Sequence, residues 1–249
     1  MQFPIYAKLA GATPVAAEDQ DFHYDVDAIL GCVTDRTRIV LVANPDNPSG
    51  THLSAVEMRR LHAGLPENVL LIIDAAYEEF ALIDDYESGT ALVHQFDNVI
   101  VTRTFSKVYG MAGLRLGWCY GPAWVADLLT KIGPSFPINV VAQEAGLASV
   151  LDNDHMQAVL KHTTMWITKF SEALRGMGLI VYPSQTNFVL VRFPPECGKT
   201  SAEVNTYLNE NGIIPRQFAV DAFGDKLRFT IGRDDEMEKT IQVLGEFLT

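Results

Sequence analysis

TRIVLVANPDNPSGTHLSAVEMRRLHAGLPENVLLIIDAAY, residues 37–77, decides how this chain folds. Its first eight residues, TRIVLVAN, are nearly all apolar and read as a strand buried on both faces. Ser54 with Glu57 three residues later forms a capping box, so a helix starts there. NVLLIIDAAY, residues 68–77, is a second buried strand. Strand, helix, strand in this rhythm predicts a parallel α/β sheet. Working outward, NVIVTRTF (residues 98–105) is a third strand and LRLGWCYG (residues 114–121) a fourth. From residue 122 the pattern turns helical, with PAWVADLLTKI, NVVAQEAGLASVL and one long helix over residues 152–177. The last third mixes strands and helices. GLIVYPSQTNFVLVRF reads as two strands, TSAEVNTYLNENG as a helix closing on Gly212, KLRFTIG as a strand and DDEMEKTIQVLGEFL as a capped terminal helix. The expected fold is α/β: a mostly parallel sheet flanked by helices over residues 1–151. An α+β small domain follows over residues 152–249, entered by the long helix.

Composition narrows the function. The chain has 249 residues and a formal net charge of −12. A surface that acidic repels nucleic acid and anionic lipid, so neither is expected as a partner. Cys32, Cys119 and Cys197 are far apart, with no CxxC and no metal-ligand spacing, which predicts reduced thiols in a cytoplasmic protein and no bound metal. The six histidines are scattered and read as structural or surface groups. The longest apolar runs, such as residues 69–76, are too short to cross a bilayer, and no signal peptide is expected.

In open α/β sheets, ligands bind at the carboxyl ends of strands. Three strand ends deliver NPDNPSG (residues 44–50), DAAY (74–77) and TFSK (104–107) to one rim, and Arg115 follows closely. Singly these are ordinary: a solvated lysine, a helix-capping Asp, a turn. Their joint order on successive strands is what points to chemistry. A lysine such as Lys107 is nucleophilic when neutral, and its characteristic act is bonding a carbonyl. A buried Asp74 suits a protonated heterocyclic nitrogen. Asn47 and Tyr77 can donate to an oxygen on the same ring. Arg115, with the hydroxyls of Thr104 and Ser106, suits a phosphate. Together they describe a clamp for pyridoxal 5′-phosphate.

NPDNPSG, DAAYEEF and TFSKVYGMAGLRLGW resemble the fold-type-I pyridoxal-phosphate aminotransferases. GIIPRQF, DKLRFTIG and PSQTNFVLVRF resemble their histidinol-phosphate branch. The resemblance implies that Lys107 is the cofactor-bonding lysine and Asp74 the partner of the pyridine nitrogen. It implies Tyr77 and Asn47 on the ring's phenolic oxygen, and Thr104, Ser106 and Arg115 on the phosphate. Arg228 would take the substrate's α-carboxylate, Arg216 its distal phosphate, and Phe3 would stack on the ring. The implied reaction moves an amino group from histidinol phosphate to 2-oxoglutarate, in a homodimer. An aromatic amino-acid aminotransferase and a phosphothreonine-type decarboxylase share these motifs. The family's N-terminal third has no counterpart here, which makes an inactive binding protein a further expectation.

Overall fold

The crossover between the first two strands forms where the Ser54 and Glu57 spacing places it. Its cap differs in one respect. Ser54 Oγ accepts from the Glu57 N–H at 3.3 Å, but the Glu57 carboxylate turns away and is bonded by Arg60. Only half of the expected capping box is made.

The computed structural model describes residues 3–248. In chain order, helix α1 (Phe3–Leu9) leads to a short antiparallel ribbon, β1 (Asp19–Gln20) and β2 (His23–Tyr24), and to α2 (Val26–Gly31). Strand β3 (Ile39–Ala43), helix α3 (Ala55–Gly64), strand β4 (Leu70–Asp74), helix α4 (Thr90–Val93), strand β5 (Val99–Thr104) and strand β6 (Gly117–Tyr120) follow. These strands form one sheet in the order β3-β4-β5-β6. The first three are parallel, and β6 runs antiparallel to β5. Residues Val42, Leu71, Ile73, Val99 and Val101 bury one face against Val26, Ile29, Met58 and Leu61 of α2 and α3. Each such side chain contributes about 1.5–3 kcal/mol relative to exposure.

The other face is covered less well than the apolar runs predict. Ile39 is exposed, and Leu41 and Ile72 are only partly buried. All four residues of β6 are exposed. The reason lies in helices α5 (Ala123–Ile132) and α6 (Val140–Leu151), which bury only Val125 in the first and Ala142 and Gly146 in the second. Helix α6 carries one charged side chain, Glu144, and exposes Val140, Val141, Leu147 and Leu151. Phe136, in the connection before it, is 93% exposed.

Helix α7 (Asn153–Gly176) matches the long helix expected from sequence, with Asp152 capping it. It lays Trp166, Phe170 and Leu174 on a second, antiparallel sheet of β7 (Ile180–Val181), β8 (Phe188–Arg192), β9 (Arg216–Gln217) and β10 (Lys226–Thr230), in the order β7-β8-β10-β9. Helix α8 (Ser201–Glu210) has the full Thr200–Glu203 capping box and is followed by Gly212 at φ 74°. Helix α9 (Asp234–Leu248) closes this second core with Met237, Val243 and Leu244.

A third cluster of Tyr77, Phe80, Val108, Leu160 and Phe188 joins the exits of β4 and β5 to α7 and β8. The loop after β3 joins in as well. Gln185 N–H donates to the Gly50 carbonyl at 2.8 Å. Gly50 sits at φ 83°, and a Cβ there would come 2.6 Å from Ser184 Oγ. The candidate residues therefore lie where the two sheets meet.

The uncovered apolar face makes a measurable statement. The chain should bind a hydrophobic dye and self-associate as concentration rises. Replacing Val140 and Leu147 with Lys should reduce both several-fold. Both positions are exposed, so the loss of stability should stay within about 1 kcal/mol. Dye fluorescence, sedimentation and urea unfolding check this; unchanged association would place the sticky surface elsewhere.

Candidate active site

The parallel register sets the site. Ala43, Asp74 and Thr102 stand side by side on β3, β4 and β5. The ladder continues one step further, with the Asn44 N–H donating to Asp74 O and the Ala75 N–H to Thr102 O, both at 2.9 Å. Three loops therefore leave the sheet at the same level.

A chain of contacts runs across that rim. Lys107 Nζ lies 5.0 Å from the centre of the Tyr77 ring. Asn47 Nδ2 donates to Tyr77 Oη at 3.4 Å. Arg228 Nη1 donates to Asn47 Oδ1. One residue set thus joins an amine, a phenol, an amide and a guanidinium drawn from both sheets. Tyr77 is buried with its ring edge-on to Phe188 at 5.3 Å.

Asp74 sits beside this line. Thr102 Oγ1 donates to its Oδ1 at 3.4 Å. Burial raises its carboxyl above the ordinary range, against the Ala76 N–H, Thr102 and the Lys107 charge, which pull it down. The carboxylate is desolvated without a close cationic partner, which is the state a protonated ring nitrogen would relieve.

The arginine end shows the opposite strain. Burial lowers the Arg228 guanidinium, the nearby Arg216 charge adds to the lowering, and Tyr77 opposes it. Its Nε is buried with no hydrogen-bond partner among the described residues. Arg216 and Arg228 are directly opposite in the β9–β10 register. Both guanidiniums approach the Phe218 ring, at 5.8 and 5.9 Å, and Arg228 also lies 4.6 Å over Phe188. Two cations with one orphaned donor fit an anionic ligand. A cavity of about 480 Å³ opens beside them, lined also by Asn205, Asn209 and Thr230.

The hydroxyl pair is present too. Thr104 Oγ1 donates to Ser106 Oγ at 2.8 Å and accepts from the Ser106 N–H at 3.1 Å. Arg115 is exposed at φ 56°, and among the described residues its side chain bonds only the Ala112 carbonyl, at 2.7 Å. It is brought alongside because the next residue, Leu116, accepts from the Phe105 N–H at 3.1 Å. Phe3 lies on α1, which buries none of its residues; it is 40% exposed, and among the described residues no ring contact joins it to the cluster.

Several residues escape the sequence reading. Tyr24 Oη accepts from the Ala43 N–H and donates to Asp46 Oδ1, both at 3.1 Å, steadying the loop that presents Asn47. Tyr86 Oη donates to the Asn44 carbonyl at 2.9 Å. Phe188 and Phe218 frame Arg228. Arg103 was open to detection, because a charge inside the strand run VTRTF needs a buried partner.

Comparison with known proteins identifies the family. The family model for aminotransferase class I and II matches residues 1–244. Histidinol-phosphate aminotransferase of Rhodospirillum centenum is 47% identical over 99% of this chain and 68% of its own length. That of Maricaulis maris is 45% identical, again over 99% of this chain and 68% of its own. The crystal structure of histidinol-phosphate aminotransferase from Sinorhizobium meliloti, in complex with pyridoxal-5′-phosphate, superposes with a TM-score of 0.91 at 29% identity. That match covers 99% of this chain and 67% of the other.

The desolvated carboxylate yields a pH prediction. Its folded value lies above its unfolded one, so between the two the folded chain binds more protons. Asp74's contribution to stability therefore falls as pH rises through that window and stays low at neutral pH. Asp74→Asn should stabilise the ligand-free chain at pH 7 by on the order of 1 kcal/mol and flatten the pH dependence. Urea unfolding across pH measures it; no gain would mean that the carboxylate is already compensated.

Proposed function

The chain belongs to the aminotransferase class I and II family, and from that membership we propose that it moves an amino group from histidinol phosphate to 2-oxoglutarate with pyridoxal 5′-phosphate as cofactor. The observation that carries this reading is the line Lys107–Tyr77–Asn47–Arg228, ending at the opposed Arg216. It places an amine, two ring-oxygen donors and a two-cation anion site within one set of contacts. The curated relatives named histidinol-phosphate aminotransferase support the choice of donor.

The residues fit the cofactor. Asp74 is the desolvated anion for the pyridinium nitrogen, Tyr77 and Asn47 the donors to the phenolic oxygen, and Thr104, Ser106 and Arg115 the phosphate group's partners. When bound, pyridoxal phosphate supplies an aldehyde that bonds amines and a ring that accepts electrons from the substrate's Cα.

The protein's part is orientation and proton movement. Lys107 Nζ, when neutral, is the base placed to take the Cα proton and return it. Arg228 receives a carboxylate through its guanidinium fork, whose Nε is the donor without a partner among the described residues. In histidinol phosphate the carbon next to the reacting one carries a phosphate ester where an amino acid carries its carboxylate; Arg228 serves the carboxylate of the 2-oxo acid, and Arg216, opposite it, serves the phosphate of the donor. The apolar face of α5 and α6 supports a homodimer. Residues 1–151 form the cofactor-binding domain in this reading, and residues 152–249 the small one. No helix among the described residues is long and apolar enough to cross a membrane, and a cytoplasmic location follows from the reaction.

Three substitutions test the proposal. Lys107→Ala should abolish the yellow colour that borohydride fixes to the chain; label on another lysine would move the assignment. Arg228→Lys should weaken 2-oxo acid binding by roughly tenfold to a hundredfold with cofactor binding nearly intact. Arg216→Ala should impair histidinol phosphate far more than an aromatic amino acid. Equal impairment would favour a general aromatic aminotransferase.

A further inference from the structure

Arg103 is the penultimate residue of β5, four positions before Lys107. Alternation along the strand turns Thr102 and Thr104 to the ligand side and Arg103 to the other. There it is largely enclosed, with 14% of its side chain exposed. Nη1 bonds Glu78 and Nη2 bonds Glu79 Oε1 at 2.7 Å. The guanidinium lies 5.3 Å over the ring of Trp118, its antiparallel partner on β6. Its Nε has no partner among the described residues, so both outer nitrogens are committed to the two glutamates.

Those glutamates open the turn Glu78–Phe80, and Tyr77 is the residue that begins it. The Phe80 N–H closes the turn on Tyr77 O at 3.0 Å. Glu78 also meets Ser88 and lies near Tyr86, whose hydroxyl holds the Asn44 carbonyl. One fork thus ties together the exits of β3, β4 and β5 from the side away from the ligand. A lysine could not replace it, because a single ammonium is a point charge and cannot hold two carboxylates in fixed directions.

We propose that Arg103 is a positioning residue. By clamping the Tyr77 turn to the Lys107 strand, it sets the distance between the phenol and the amine. The proposal rests on the roles given above to Tyr77 and Lys107, yet its first test does not need the cofactor.

Reductive methylation with carbon-13 formaldehyde labels every lysine for NMR in the whole chain. The Lys107 methyl signal, identified by its loss in Lys107→Arg, should be displaced by the Tyr77 ring and return to the exposed-lysine position in Tyr77→Leu. Lys169, 4.2 Å over the Trp166 ring on α7, is an internal standard for the fold. Arg103→Lys and Arg103→Met should lose most of the Lys107 displacement and keep that of Lys169. A Lys107 displacement unchanged in both overturns the proposal. Where Arg103→Met unfolds and loses both, Glu79→Gln removes one arm of the clamp at nearly constant volume and decides the matter by the same signal.

With pyridoxal phosphate added, Arg103→Lys should shift the pH midpoint of the visible band by at least about half a unit. It should produce no such shift in the Tyr77→Phe background. Equal shifts in both backgrounds would show that Arg103 does not act through Tyr77, and would overturn the proposal. If the unsubstituted chain shows no visible band at all, the proposed function fails, and the methyl signals still decide the role of Arg103.

Discussion

Everything at the rim depends on the backbone ladder that sets Ala43, Asp74 and Thr102 abreast. Parallel strands in register end at one level, and the right-handed crossovers bring each following loop out on the same side. Asn47, Tyr77 and Lys107 lie four, three and three residues beyond Ala43, Asp74 and Thr104, the last residues of β3, β4 and β5. They meet because the strands are matched, not because the loops attract one another. The small sheet is then seated on the loops through Gly50, Gln185 and the Tyr77–Phe188 contact.

The ligand-free site holds two kinds of unbalanced charge. Asp74 is half-buried without a strong cation, and Arg228 is half-buried near a second arginine, with one nitrogen unpaired among the described residues. Each costs stability in isolation. Arg228 ends the contact line that Asp74 lies beside, so a site that favours a cation stands apart from one that favours anions. A ligand with a protonated ring at one end and acidic groups at the other would relieve both. The structure therefore gives up stability where binding can return it.

The parts of this arrangement carried by local pattern were legible in the sequence. The strands, the long helix and the strand-end residues followed from apolar runs, caps and turn residues. The outer limits shrank by one to three residues at each end, as strand pairing stops where the loops begin. The degree of burial was not legible, because an apolar run does not say whether a partner covers its second face. That is why β6 and the outer face of α6 lie open against expectation. Tyr24, Tyr86 and the identity of the glutamates that pair with Arg103 were also hidden, since these partners are distant in the chain and chosen by packing. Phe3 shows a related limit: a lone aromatic carries no local signal of what it touches.

The β9–β10 pairing constrains how the chain can change length. Leu227 and Phe229 face the small core while Arg228, between them, faces the ligand side. A one-residue slip in this strand would exchange the two faces, burying the guanidinium and exposing the apolar pair. Insertions and deletions within residues 226–230 should thus be purged far more strongly than those at residues 219–224, where most side chains are exposed and the connection can bulge outward. Across a set of natural variants, length variation would gather in that loop and stop abruptly at Asp225, whose carboxylate anchors both Arg192 and Lys226.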